Sequence, residues 1–153
     1  RGESRVITAD TNKIEGRRYP AGRCTKGFVG EGRPISAKGF AMGLVILDPE
    51  GGQVPWHAHP NEEVYTIIEG TAQIAVGDEL GSLSAGQAVY IPPNTFHQLT
   101  NLSGSPVKLL YCYSPAGDVD HWKQELAGTL PRAGIEAPAL PVGAAPQRTD
   151  TEG

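Results

Sequence analysis

Within residues 51–70, GGQVPWHAHPNEEVYTIIEG, two histidines are separated by one residue, a Pro-Asn turn and two glutamates follow, and an apolar run ends on a glycine. On a strand, His57 and His59 at i and i+2 leave the same face, with Cα atoms roughly 6.5 Å apart. Pro60 and Asn61 break that strand, and Glu62 or Glu63 opens the returning one, so a carboxylate comes back beside the two imidazoles. A half-apolar hairpin can point such groups inward only if they are neutralised and coordinated, because an unpaired buried charge costs several kcal/mol. The stretch therefore calls for a β-fold with a polar, metal-sized spot inside it.

The rest of the chain supplies more strands. The 20 Gly and 13 Pro punctuate apolar runs instead of forming a low-complexity block. FAMGLVILDPEGG, EVYTIIEG, TAQIAVGD, SLSAGQAVYIPPN, FHQLTNLSG and VKLLYCYSP read as short strands closed by Gly, Pro or Asn turns. At 153 residues the chain is the size of one domain. The expected fold is all-β, an antiparallel barrel or two-sheet jelly roll over residues 39–116. Residues 117–128 are expected to form one short helix packed through Val119, Trp122 and Leu126, with Asp118 able to cap it and Gly128 to end it. His121 has no partner in the sequence and is expected on the surface of that helix. Residues 129–153, rich in Pro and Ala, read as an extended tail that is ordered only where it lies across something.

Charge is uneven. Residues 1–38 carry nine Lys and Arg against four acids and read as a basic, solvated arm, whereas residues 39–107 carry seven acids and no Lys or Arg. The basic residues are not interleaved with stacking aromatics and the net charge is −4, which excludes a nucleic-acid partner. Cys24 and Cys112 fit no metal or redox spacing and read as unpaired thiols of a reducing compartment. With no apolar run of membrane-spanning length and no signal-type start, the expectation is a cytoplasmic protein without a membrane partner.

A third histidine, His97, follows the Pro92-Pro93-Asn94 turn, and an antiparallel fold can set it opposite the first pair. Three neutral imidazoles and a carboxylate suit one divalent transition metal per chain, with Fe or Mn favoured and Ni, Co, Zn or Cu also compatible.

These residues resemble those of the cupin superfamily. Gly51, His57, His59, Glu63 and Gly70 fit its first motif, G(X)5HXH(X)3-4E(X)6G, and Gly86, Pro92, His97 and Asn101 fit its second, G(X)5PXG(X)2H(X)3N. Asn94 stands where the second motif has glycine, a substitution that tolerates the same left-handed turn. The resemblance implies a small β-barrel whose metal is held by both histidines of the first motif, the glutamate and the later histidine. It thereby selects Glu63 over Glu62 and turns Tyr65 inward behind it.

An octahedral metal with four protein ligands keeps two open positions. The expected function is a dioxygenase or oxidase of a small ketone, enol, hydroxy acid or aromatic fragment, since no acid-base pair is visible along the chain. The alternatives are a metal-dependent isomerase, lyase or decarboxylase with Tyr65 as proton carrier, and a non-catalytic binding protein. Met42, Gln53, Tyr65, Phe96, Leu99 and Tyr113 are the candidate pocket residues. A sugar phosphate is disfavoured because residues 39–107 supply no cation, although the Arg-rich segment could hold a single carboxylate at the mouth. Exposed strand edges lead us to expect a homodimer.

Overall fold

The computed structural model describes residues 5–149, and Arg1, part of the basic segment, lies outside them. The described residues form a two-sheet jelly roll. Its larger sheet runs β1 (Arg17–Tyr19), β2 (Arg23–Gly30), β4 (Ala41–Leu47), β11 (Val107–Ser114), β6 (Glu62–Glu69), β9 (Ala88–Ile91), with β3 (Ile35–Ser36) parallel to β2. The smaller runs β5 (Gln53–His57), β10 (His97–Thr100), β7 (Thr71–Val76), β8 (Glu79–Ser84). Among the described residues, no helix is long and apolar enough to cross a membrane.

Period-2 alternation builds the core. In β4, Ala41, Val45 and Leu47 point inward between half-buried Met42, Leu44 and Ile46, and in β11 the inward set is Val107, Leu109, Tyr111 and Tyr113. Leu47, Ile67, Ile91, Leu99, Val107 and Leu109 are at most 1% exposed, each burial stabilising by about 1.5–3 kcal/mol. Gly43 faces Tyr111 across the β4/β11 pair, and a Cβ there would sit inside the phenol ring, so this glycine is what lets Tyr111 lie across the strand. Asn94 takes the left-handed conformation at φ 59°, and its N–H donates to the His59 carbonyl at 2.7 Å. The turn before His97 is thus tied to the strand end that carries His59.

Strand structure begins well before residue 39. β2 pairs with β4 along Arg23↔Leu47 to Gly27↔Gly43, and within it Arg23 and Thr25 point inward. Residues 17–19 and 23–30 are therefore a strand pair of the sheet and not a solvated arm. Their alternation places Cys24 outward and Arg23 in the core, where it is 1% exposed. Cys24 and Cys112 are both free and half-buried.

The C-terminal segment lies across the outer face of the smaller sheet. The Trp56 indole N–H donates to the Pro138 carbonyl at 2.9 Å, Gln98 donates to Ala145 at 2.8 Å, and Gln53 both donates to Pro146 and accepts from the Arg148 N–H. Ordered backbone there follows from these side-chain partners, not from internal periodicity.

The single helix of the described residues, α1, spans His121–Ala127 and ends on Gly128 in the left-handed conformation. Asp120, not Asp118, stands at its N-cap, and the buried face is His121 and Glu125, while Leu126 is 41% exposed. Val119 is buried just ahead of the helix and Trp122 packs against Tyr111 and Tyr113. The apolar spacing located the helix but not the face it buries.

Candidate metal centre

β5 and β10 carry two of the site residues side by side, with His57 directly opposite His97. A bulge makes this possible. The ladder passes from His97↔His57 to Leu99↔Val54, so Pro55 and Trp56 lie opposite Gln98 alone, and the Trp56 N–H bonds to the Gln98 side chain. Val54 and His57 then both point inward while Gln53 and Trp56 point outward. From the facing sheet, β6 pairs with β11 so that Glu63 lies opposite Tyr113 and Tyr65 opposite Tyr111. Glu63 is buried, whereas Glu62 is on the outer face, bonded by the Tyr90 hydroxyl at 2.9 Å.

His57, His59 and His97 have ring nitrogens within 4.8 Å of one another, and all three rings are buried. Each turns Nδ1 to a backbone carbonyl: His57 to Pro55 at 2.6 Å, His59 to Asn61 at 3.0 Å, His97 to Thr95 at 2.8 Å. Those acceptors fix the proton on Nδ1 and leave the Nε2 lone pairs aimed at one point. The Nε2 atoms of His57 and His97 have no hydrogen-bond partner although fully buried, an arrangement costing about 1–3 kcal/mol per atom unless an ion is bound. Glu63 Oε1 lies 2.9 Å from His59 Nε2 and 3.4 Å from His97 Nε2. Both nitrogens of His59 face oxygens, and a neutral ring can donate to one alone, so a cation shared with Glu63 resolves the conflict. The donor set fits one divalent metal on three nitrogens and one oxygen.

The electrostatics agree with that occupancy. Burial, followed by the neighbouring His121, His97 and His59, pushes His57 well below the ordinary imidazole range, which keeps it neutral as a ligand must be. Burial alone pushes Glu63 up, but the neighbouring His59 and His97 rings hold it below the usual carboxylate range. The remaining motif residues are structural. Asn101 is fully buried, its side-chain N–H groups reach the carbonyls of Leu47, Asp48 and Ser105, and its Oδ1 accepts from Ser103.

Of the expected pocket residues, Tyr65 and Tyr113 line a cavity that also reaches Glu63, and Leu99 is core filling. Met42, Gln53 and Phe96 are not in it. Met42 alternates to the outer face of β4 opposite Val29 and Cys112, the bulge turns Gln53 to the C-terminal segment, and Phe96 packs on Trp56 at 5.6 Å.

Two site residues were not visible in the sequence. His121 is buried, and its ring stacks on His57 with centroids 3.6 Å apart. Its Nδ1 meets Glu125 Oε2 at 2.7 Å, while Glu125 accepts from both Nη atoms of Arg23 at 2.5 and 2.8 Å. Burial lowers His121 to about 4 against the opposing pull of Glu125; burial pushes Glu125 up, but the Arg23 charge together with the hydrogen bonds from His121 and Arg23 holds it below the carboxylate range. The i,i+4 spacing of His121 and Glu125 was the one available signal, and a pair at that spacing is usually solvent-facing.

A two-sheet jelly roll that brings His57, His97 and Glu63 together from facing strands, with His59 just beyond the end of β5, defines a small protein built around a candidate site for a single metal. The chain belongs to the cupin superfamily: the cupin domain family model matches residues 43–113. It is 35% identical over 84 residues to an uncharacterized protein of Methanocaldococcus jannaschii, covering 54% of this chain and 67% of that one. It is 34% identical over 71 residues to the dimethylsulfoniopropionate lyase DddQ of Ruegeria pomeroyi, covering 46% of this chain and 35% of the lyase. An RmlC-like cupin from Shewanella frigidimarina shares the fold with a TM-score of 0.58 at 21% identity, over 72% of this chain and 91% of that one.

Proposed function

We propose that the protein is a metal-dependent enzyme that transforms a small carbonyl or hydroxy-acid compound by proton transfer at the metal centre, as a lyase, isomerase or decarboxylase. The observation that carries this reading is the buried His121–Glu125 pair, whose imidazole stacks on His57 and lines the same cavity as Glu63 and Tyr65. An oxygen-dependent reaction is the expectation for a chain without an acid-base pair, and docking of α1 supplies one. The likeness to a lyase adds support.

A metal on His57, His59, His97 and Glu63 would supply Lewis-acid polarisation of a substrate oxygen. The chain's own residues supply the rest. Glu125 fixes the His121 tautomer through Nδ1, leaving Nε2 as the nitrogen that can take or give a proton. Burial and the Glu63 carboxylate push the Tyr65 phenol well above its ordinary value, so Tyr65 keeps its proton and acts as a hydrogen-bond donor. Val45, Val54 and Val119 line the remaining wall and exclude water.

A second reading, the dioxygenase or oxidase, is favoured by the donor set, since three imidazoles and a carboxylate would also hold a redox-active ion that could supply oxygen chemistry. One comparison separates the two. Metal-loaded protein is screened against small hydroxy and keto acids with and without oxygen. Turnover that persists anaerobically is expected, whereas turnover that stops without oxygen and consumes it in proportion to product would replace this reading with the second. Tight ligand binding without turnover of any compound would make the protein a binding module.

A further inference from the structure

We propose that the substrate carries a carboxylate and that Arg23 receives it in the place now taken by Glu125. The inference deepens the functional reading above and rests on it for the location of the site.

With α1 docked, the cavity beside Glu63 measures about 20 Å³, room for a single water. No organic substrate fits. The walls are strands except for α1 and the residues just before it, so α1 is the element that must give way. α1 is seven residues long, and its buried face is polar, held through Glu125 on Arg23 and His121 on His57.

Moving α1 separates Glu125 from Arg23. The guanidinium cannot follow, because β2 holds it under the sheet, with its Nε on Thr25 Oγ1 at 3.1 Å, Nη1 on the Gln53 carbonyl at 3.2 Å, and its plane over the Tyr19 ring at 4.2 Å. A neutral substrate would therefore open the site at the cost of a buried, unpaired cation. A substrate carboxylate restores the bidentate pair that Glu125 gives up. His121 and Glu125, both on α1, stay bonded to each other as the helix shifts. Arg23 lines the same cavity as Glu63, so one small molecule can reach both the guanidinium and the metal centre. The arrangement selects a monoanionic 2-oxo or 2-hydroxy acid, since one guanidinium offers one carboxylate-sized fork.

Pyruvate and butane-2,3-dione, which differ by a carboxylate against an acetyl group, provide the test. Binding to the metal-loaded protein is followed by calorimetry and by fluorescence of Trp122, which rides on α1. Pyruvate is expected to bind at least ~10-fold tighter than the dione. Glu125→Gln, which removes the competing charge but keeps the side-chain volume, is expected to tighten both ligands by about 10-fold, because neither then has to break the Arg23–Glu125 ion pair, and to keep the preference for pyruvate. Arg23→Gln should erase the preference, and if that variant does not fold, the Glu125→Gln comparison decides alone. Equal affinities for acid and dione, or a pyruvate affinity unaltered by Glu125→Gln, would overturn the assignment. The metal-loaded protein separates this from the functional reading: an acid preference that Arg23→Gln erases, in a protein that turns over none of the screened compounds with its metal bound, refutes that reading and leaves the carboxylate site standing.

Discussion

Replacing His97 by alanine is expected to remove most of the bound metal from a chain that stays folded. The ring is 0% exposed, between β5 and β7, with its Nδ1 committed to Thr95, so no neighbouring imidazole can swing into its place. Loss of one of four ligands is expected to weaken the metal by on the order of 100-fold to 1000-fold, given a total near 10–16 kcal/mol for a four-ligand site. The cavity left behind costs about 2–5 kcal/mol. That penalty is smaller in the metal-free protein, where the substitution also removes a buried Nε2 that has no partner. His97→Gln, which fills most of the space, separates the two effects. Metal content by emission spectroscopy, together with unchanged far-ultraviolet dichroism, is the check. Retention of a full equivalent of metal in both variants would remove His97 from the site.

Removing Glu125 is expected to have the largest effect on stability of any surface-distant helix residue. Arg23 and Glu125 side chains are 1% and 2% exposed, and Glu125→Ala leaves the guanidinium buried without its counter-ion, a loss of about 3–5 kcal/mol at neutral pH. The pH dependence has a definite sign. Arg23 holds the folded Glu125 below the ordinary carboxylate range, so this stabilisation is complete above the unfolded value and is lost as pH falls toward the depressed folded one. Urea unfolding of the two proteins should therefore give curves far apart at pH 7 that converge on acidification. A constant difference down to low pH would show that packing, and not the ion pair, carries the contribution.

The strands and the clustering of His57, His59 and His97 were legible because strand alternation is local and the two motifs give the histidines their register. Alternation in AMGLVIL and VKLLYCYS reports one buried face directly, and the spacing from His57 through Glu63 fixes which side chains share it once the motif sets the register. Asn94 kept its turn because a left-handed residue was needed and asparagine tolerates it. What was not legible depends on long-range placement. Arg23, in RCTK, looks like surface charge, and nothing near it in the chain announces Glu125, 102 residues away. The HWKQELA helix was read by its apolar residues, whereas its docked face is chosen by the partners waiting for it, a cation and an imidazole. Gln53 was a candidate pocket residue, and a single extra residue in the ladder turns it out to the C-terminal segment.

The central claim is that His57, His59, Glu63 and His97 hold one divalent metal, and anomalous diffraction from crystals of cobalt-loaded protein tests it most directly. The expected result is a single peak per chain, on the order of 2.0–2.2 Å from the three Nε2 atoms and from one Glu63 carboxylate oxygen, with His121 still bonded to Glu125 and outside the coordination sphere. A peak ligated by His121 or by surface carboxylates, with the Nε2 atoms of His57 and His97 left free, would contradict it.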